Sequence, residues 1–331
     1  MQSSFDEVIQ QRQVNWRKKN ITTDEWGVQN GKKRPWILPP HKWKDGLWEQ
    51  IRESLPAYLE KAQVQKHKGV HNLKSSWILC ANFYFPFRND KQMLAEFLKK
   101  QVSPDIETLD HIELEYAESG ELRPSSLLGE PEGIRGANQT SPDVAFIVNG
   151  GEGLILTENK YTEHSFYPCS GRKPQYGNPD TKRCMDIEAV LKNPRKICYM
   201  MNWQSEDRSN RKYWDFVNIS KCGRDILERC PAATSGYQLF RQQALAEGIA
   251  KSGKYKFVVS CVAYDQDNKA LVDCLKTTGI DDFRTGWQKI FKGKAHFAGF
   301  SHQQWVSWVR ENDKAHKWQN WLEYVRQRYG Y

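Results

Sequence analysis

The stretch SPDVAFIVNGGEGLILTENKYTE, residues 141–163, decides how this 331-residue chain reads. Ser141-Pro142-Asp143 opens one apolar run and Glu158-Asn159-Lys160 closes the next, with Asn149-Gly150-Gly151-Glu152-Gly153 between them. Two short apolar runs split by a glycine turn read as a β-hairpin. If Gly150 and Gly151 form a two-residue loop, Asp143 lies directly opposite Glu158, and Lys160 shares the face of Glu158. A four-residue loop of even register gives the same pairing, whereas a three-residue loop with a bulge spoils it. Carboxylates so opposed, with β-carbons about 4.5–5.5 Å apart, repel and need a proton or a cation between them. Magnesium, which binds through one or two carboxylates plus substrate phosphates, suits the position. Lys160 beside it could orient a water or offset charge building on a phosphate. Glu-X-Lys alone is a weak signal that an exposed hairpin also gives; the in-register arrangement on apolar strands carries the weight.

Outward from the hairpin, 75–84 reads as an apolar helix, 90–102 as a helix capped by Asp90, and 111–116 as a strand. A Cys-, Pro- and Arg-containing insertion, about 162–230, precedes a helix at 236–250 and a buried strand at 256–263. Residues 4–19 also read as helical, as do 46–63 with Pro56 bending or breaking the run, and 270–331 are mainly helical. The core order helix, strand, strand, strand, helix, strand belongs to an α/β or α+β domain with a mixed sheet. The expected division is an N-terminal extension 1–70, a core 71–265 with its insertion at about 162–235, and a helical extension 266–331.

Charge divides along the same lines. Residues 1–70 carry 13 basic and 8 acidic side chains, 171–230 the same numbers, and 281–331 carry 9 and 5, whereas 101–170 holds 3 basic and 13 acidic ones. An acidic block in a chain of net charge +9 suits a cation site flanked by surfaces for a polyanion, although solvated faces give the same numbers. Trp26, Trp36, Trp43 and Trp48 interleave with Lys32, Lys33, Arg34, Lys42 and Lys44, a mixture able to stack on bases and hold phosphates. Trp305, Trp308, Trp318 and Trp321 repeat it at helical spacing, where core packing is the favoured reading. No run could span a bilayer, and the start has no apolar signal region, so a cytoplasmic protein with reduced thiols is expected.

These residues resemble the PD-(D/E)XK nuclease superfamily, whose core order is αβββαβ, and more closely a bacterial family of restriction-endonuclease-like proteins. The resemblance rests on Ser75-Ser76-Trp77-Ile78-Leu79-Cys80-Ala81-Asn82, Glu115-Tyr116, Thr140-Ser141-Pro142-Asp143, Glu158-Asn159-Lys160-Tyr161-Thr162-Glu163 and Tyr237-Gln238-Leu239-Phe240-Arg241, across roughly residues 70–265. It implies a restriction-endonuclease-like fold, Asp143 and Glu158 as ligands of Mg²⁺ (with Mn²⁺ able to substitute), and Lys160 as the catalytic lysine. A further acid is usual, often from the first helix, but 75–84 has none. Glu115 is the choice here, sharing a strand face with Glu113. Gln238 and Arg241, three apart on one helical face, resemble the glutamine-bearing helix flanking this site in related nucleases. They would position a phosphate or support the active site, although an exposed helix surface explains them nearly as well.

Some related nucleases staple the region of the insertion with an iron–sulfur cluster. Cys169, Cys184, Cys222 and Cys230 are therefore nominated as a second metal site, for iron–sulfur or zinc. Their spacing, without CxxC or CxxH, supports this only weakly, and free cysteines are the alternative. His164 follows the catalytic strand closely, with a surface role favoured. The expected function is metal-dependent hydrolysis of DNA, double-stranded by preference, in a restriction or defence role. Double-strand cutters often dimerise, which makes a homodimer one expected state, and no membrane partner is expected. A repair or recombination nuclease and an inactive nucleic-acid-binding protein on the same fold are the alternatives.

Overall fold

A computed structural model describes residues 4–174, 178–202 and 211–331. Strands β1 (Leu109–Leu114), β2 (Val144–Val148), β3 (Gly153–Lys160), β4 (Phe257–Tyr264) and β5 (His296–Ser301) form one sheet in that spatial order. β1, β2 and β3 are antiparallel neighbours, and β4 and β5 continue in parallel from β3. This is the mixed sheet of an α+β, restriction-endonuclease-like fold. The helices used below are α1 (Phe5–Asn20), α2 (Ser76–Tyr84), α3 (Lys91–Gln101), α4 (Tyr237–Ser252), α5 (Phe283–Ile290), α6 (His302–Asn312) and α7 (Gln319–Tyr329).

Hairpin geometry follows from its glycines. Gly150 and Gly151 stand at φ +67° and +86°, and the Glu152 amide donates to the Asn149 carbonyl at 3.3 Å. Positive φ at both central positions is what a type I′ turn requires and what glycine adopts without steric cost. Val148 therefore pairs with Gly153 and Val144 with Thr157, the register of the two-residue loop.

Period two then divides the side chains. Val144, Phe146, Val148 and Ile155 join one core with residues of α1, α2, α3, α6 and α7. Ala145, Leu154 and Leu156 join the other with α4 and α5. A sheet covered on both faces explains strands that are apolar almost throughout. Trp305, Trp318 and Trp321 are buried in the first core, where Trp318 stacks on Phe87 with ring centroids 3.9 Å apart. Of the N-terminal tryptophans, Trp43 and Trp48 are buried and Trp26 is exposed.

Three local expectations change. Residues 270–331 are not mainly helical throughout, because β5 pairs in parallel with β4 and extends the sheet. Asp90 holds the N-cap position of α3 without a capping side-chain bond; its carboxylate instead accepts from the Trp318 indole at 2.9 Å and pairs with Lys317 at 3.0 Å. Pro56 does not bend a long helix, since the helix Ser54–Lys61 begins just before it, where a missing amide costs little. Among the described residues no helix is long and apolar enough to cross a membrane.

Candidate active site

The acids meet at one end of the hairpin because the registers on either side of β2 agree. Leu114 pairs with Val144 and Val144 with Thr157, and one step further Glu115, Asp143 and Glu158 follow one another across three strands. The Glu115 amide donates to the Asp143 carbonyl at 2.9 Å, and Asp143 Oδ2 accepts from the Asn159 amide at 2.7 Å. Glu115 lies past the end of β1 at φ +47°, a left-handed conformation that costs a non-glycine residue about 1–3 kcal/mol. Its carbonyl accepts from Arg135 Nε at 3.2 Å. Glu113, on the same strand, is engaged by the Tyr58 hydroxyl at 2.8 Å and Arg135 Nη2 at 3.0 Å. Of the two glutamates, Glu115 is the one brought to Asp143 and Glu158.

Burial and the neighbouring charges of Asp143 and Glu158 push the Glu115 carboxyl well above the carboxylate range. Burial and Glu158 do the same to Asp143, against a smaller opposing effect of Lys160. Lys160 is buried, with Nζ donating to Glu158 Oε1 at 2.8 Å and Gln238 Oε1 at 2.9 Å. Burial opposes its charge, but Glu158, Glu163 and Asp143 outweigh that and hold the ammonium protonated.

Gln238 reaches Lys160 from the first turn of α4. That turn is fixed to the chain leaving β3, since the amides of Tyr237 and Gln238 donate to the carbonyls of Tyr167 and Phe166 at 3.0 and 2.9 Å. The rings of Phe166 and Tyr167 stand 5.9 and 5.8 Å from Nζ. Arg241 turns elsewhere: Nη2 pairs with Glu130 at 3.1 Å and donates to Thr140 Oγ1 at 2.7 Å. It supports the loop that delivers Asp143, three residues after Thr140, and does not contact Lys160.

Several neighbours gave no usable sequence signal. Glu163 accepts from Ser76 Oγ at 2.6 Å and from the Tyr161 amide at 2.8 Å, tying α2 to the end of β3. Phe166 and Tyr167 lie beyond the strand's alternation. His164 is exposed. Of the nominated cysteines, Cys169, Cys184 and Cys230 line one cavity together with Cys198. Cys222 is exposed on a short helix, Lys221–Ile226, so Cys198 replaces it, a substitution that linear spacing could not reveal.

Among the described residues no three His, Cys, Asp or Glu side chains are grouped so as to hold a metal ion by themselves. The oxygen-only donors and the mutual repulsion of Glu115, Asp143 and Glu158 fit a hard divalent cation that takes one or two carboxylates and completes its shell with water and phosphate.

A family model described as "REase-ARP: Restriction Endonuclease associating with ARP" matches residues 10–330. No curated protein and no solved structure shows significant similarity.

Proposed function

We propose, from the premise that this chain belongs to the REase-ARP family, that it is a magnesium-dependent endonuclease of the PD-(D/E)XK type that hydrolyses DNA in a restriction-type defence role. The observation that carries this reading is the row Glu115, Asp143, Glu158, with Lys160 held beside it by Glu158 and Gln238. Asp143 and Glu158, with Glu115 next to them, would hold the cation, which when bound supplies Lewis-acid stabilisation of phosphoryl charge and a more acidic water.

The remaining steps belong to the chain's own groups. Lys160 has three N–H donors, and two go to Glu158 and Gln238. The third can donate to the attacking water or to a non-bridging phosphate oxygen, where charge builds in the transition state. Phe166 and Tyr167 cover the ammonium and limit competing water. A water oxygen bonds to phosphorus, the bond from phosphorus to the 3′-oxygen breaks, and the departing oxygen takes up a proton from solvent.

The test is cleavage of supercoiled, linear and single-stranded DNA, with Mg²⁺ or with EDTA, by wild type and by Asp143→Ala, Glu158→Ala and Lys160→Ala. Each substitution should abolish Mg²⁺-dependent cutting while near-ultraviolet circular dichroism stays unchanged. Full activity in EDTA or in Asp143→Ala would sink the reading. Discrete fragments support the restriction role, whereas end-dependent smears indicate a processing nuclease.

A further inference from the structure

Four cysteines from distant parts of the insertion meet around a single cavity of about 30 Å³ on the α4 side of the sheet, lined by Cys169, Cys184, Cys198 and Cys230. The chain converges on purpose here: the Cys230 amide donates to the Cys184 carbonyl at 3.0 Å, and the Cys169 amide to the Ala232 carbonyl at 3.2 Å. Donors are aimed at the sulfurs. Cys198 receives the amides of Met201 and Met200 and the Trp214 side chain, Cys169 the Gly171 amide, and Cys230 the Ala232 amide. A buried neutral thiol is a weak acceptor with little need of such bonds, whereas a thiolate is a strong one. Arg172 and Arg183 line the same cavity, and Arg172 favours the thiolates of Cys169 and Cys184.

Without a metal these groups stay protonated. Burial, followed by the charge of the neighbouring sulfurs, pushes the Cys230 thiol well up, and burial raises Cys198 to about 11. The arrangement is thus built for anionic sulfur but lacks the charge that would make the sulfur anionic. A single zinc ion would draw four sulfurs to within about 3.8 Å of one another, given a tetrahedral Zn–S distance of about 2.3 Å. Among the described residues no three ligands are grouped so as to hold one ion. The space between the sulfurs is two or three times the ~10–15 Å³ that one water needs.

We propose that Cys169, Cys184, Cys198 and Cys230 hold an iron–sulfur cluster. Each thiol gives its proton to solvent as its sulfur bonds to an iron, and iron and sulfide are supplied as the assembled cluster. Four thiolates are the usual ligand set for such a group. The cluster would clamp the chain leaving β3 at Cys169 to the chain entering α4 at Cys230. Between those clamps lie Phe166, Tyr167 and Gln238, the neighbours of Lys160.

The inference stands apart from the nuclease reading, and its test reads metal instead of cleavage. Full-length protein, expressed with ample iron and purified without oxygen or added zinc, should contain iron and acid-labile sulfide in equal amounts. It should also show visible absorption that dithionite bleaches. Cys222→Ser and Asp143→Ala should keep the full iron content, and Cys198→Ser should lose most of it. Wild type without iron, or with one zinc per chain instead, would overturn the cluster even if Cys198→Ser failed to fold. Iron retained in Cys198→Ser but lost in Cys222→Ser would overturn the ligand assignment.

Discussion

His302, at the start of α6, is buried with Nε2 2.9 Å from the Lys160 carbonyl oxygen, and its Nδ1 has no partner among the described residues. Nε2 therefore donates and Nδ1 stays bare. Protonation would bury an unpaired N–H, and burial lowers the imidazole pKa to about 4 against the raising influence of Asp265, the Lys160 carbonyl and Glu163. A folded-state pKa below the ordinary 6.5 favours the fold fully above that pH. Between 6.5 and about 4 the unfolded chain binds a proton that the folded one refuses, so stability falls by up to about 3 kcal/mol as pH drops through this window. Urea unfolding at pH 7 and pH 5 should show a smaller loss in His302→Gln than in wild type; equal losses would remove His302 as the cause. Residue-level reading of the sequence went part of the way at this site. Asp143, Glu158 and Lys160 were legible because strand alternation and a glycine turn fix their faces. Glu115 could be nominated but not oriented, because its direction comes from a left-handed backbone that no glutamate advertises. Arg241 looked like a phosphate ligand until its partner Glu130, 111 residues away, came into view.

At the level of elements, the hairpin depends on Gly153 as well as on its turn. A Cβ there would lie 2.4 Å from the Phe257 ring and 2.7 Å from Val148 Cγ2, closer than packed atoms tolerate. Gly153→Ala should cost about 1–3 kcal/mol by overpacking, read as a lower urea midpoint with unchanged slope. Gly153→Ala combined with Phe257→Leu should recover part of the loss; a Gly153→Ala midpoint equal to wild type would show that the pair relaxes freely. Long periodic elements such as α4 and the apolar strands were recognisable from composition. β5 was not, since its six residues HFAGFS contain a histidine and a glycine and gain their role only by pairing with β4. Asp90 was placed correctly at a helix start, but the Trp318 indole, 228 positions later, captured the side chain that local rules assign to capping.

Across the whole molecule, positive charge is displayed away from the acids. Lys32 and Lys33 are exposed on a small antiparallel ribbon formed by Gly27–Gln29 and Lys32–Arg34, close in sequence to the exposed Trp26. If this ribbon meets the DNA backbone, Lys32→Ala with Lys33→Ala should lower the slope of log affinity against log salt by about 0.9 per lost phosphate contact. Cleavage at saturating DNA should be unchanged, and an unaltered slope would place the contact elsewhere. The C-terminal tryptophans belong to the core, so composition alone had overstated the aromatic surface available for stacking. β3 is the middle strand of the five, bonded to β2 on one side and β4 on the other. Amides so placed open only when the entire fold opens, at the full free energy of unfolding. Glu158 and Lys160 thus sit on the part of the protein that is slowest to exchange its hydrogens with solvent. On heating, such a centre should fail all at once with the molecule, with no partly active, frayed form preceding it.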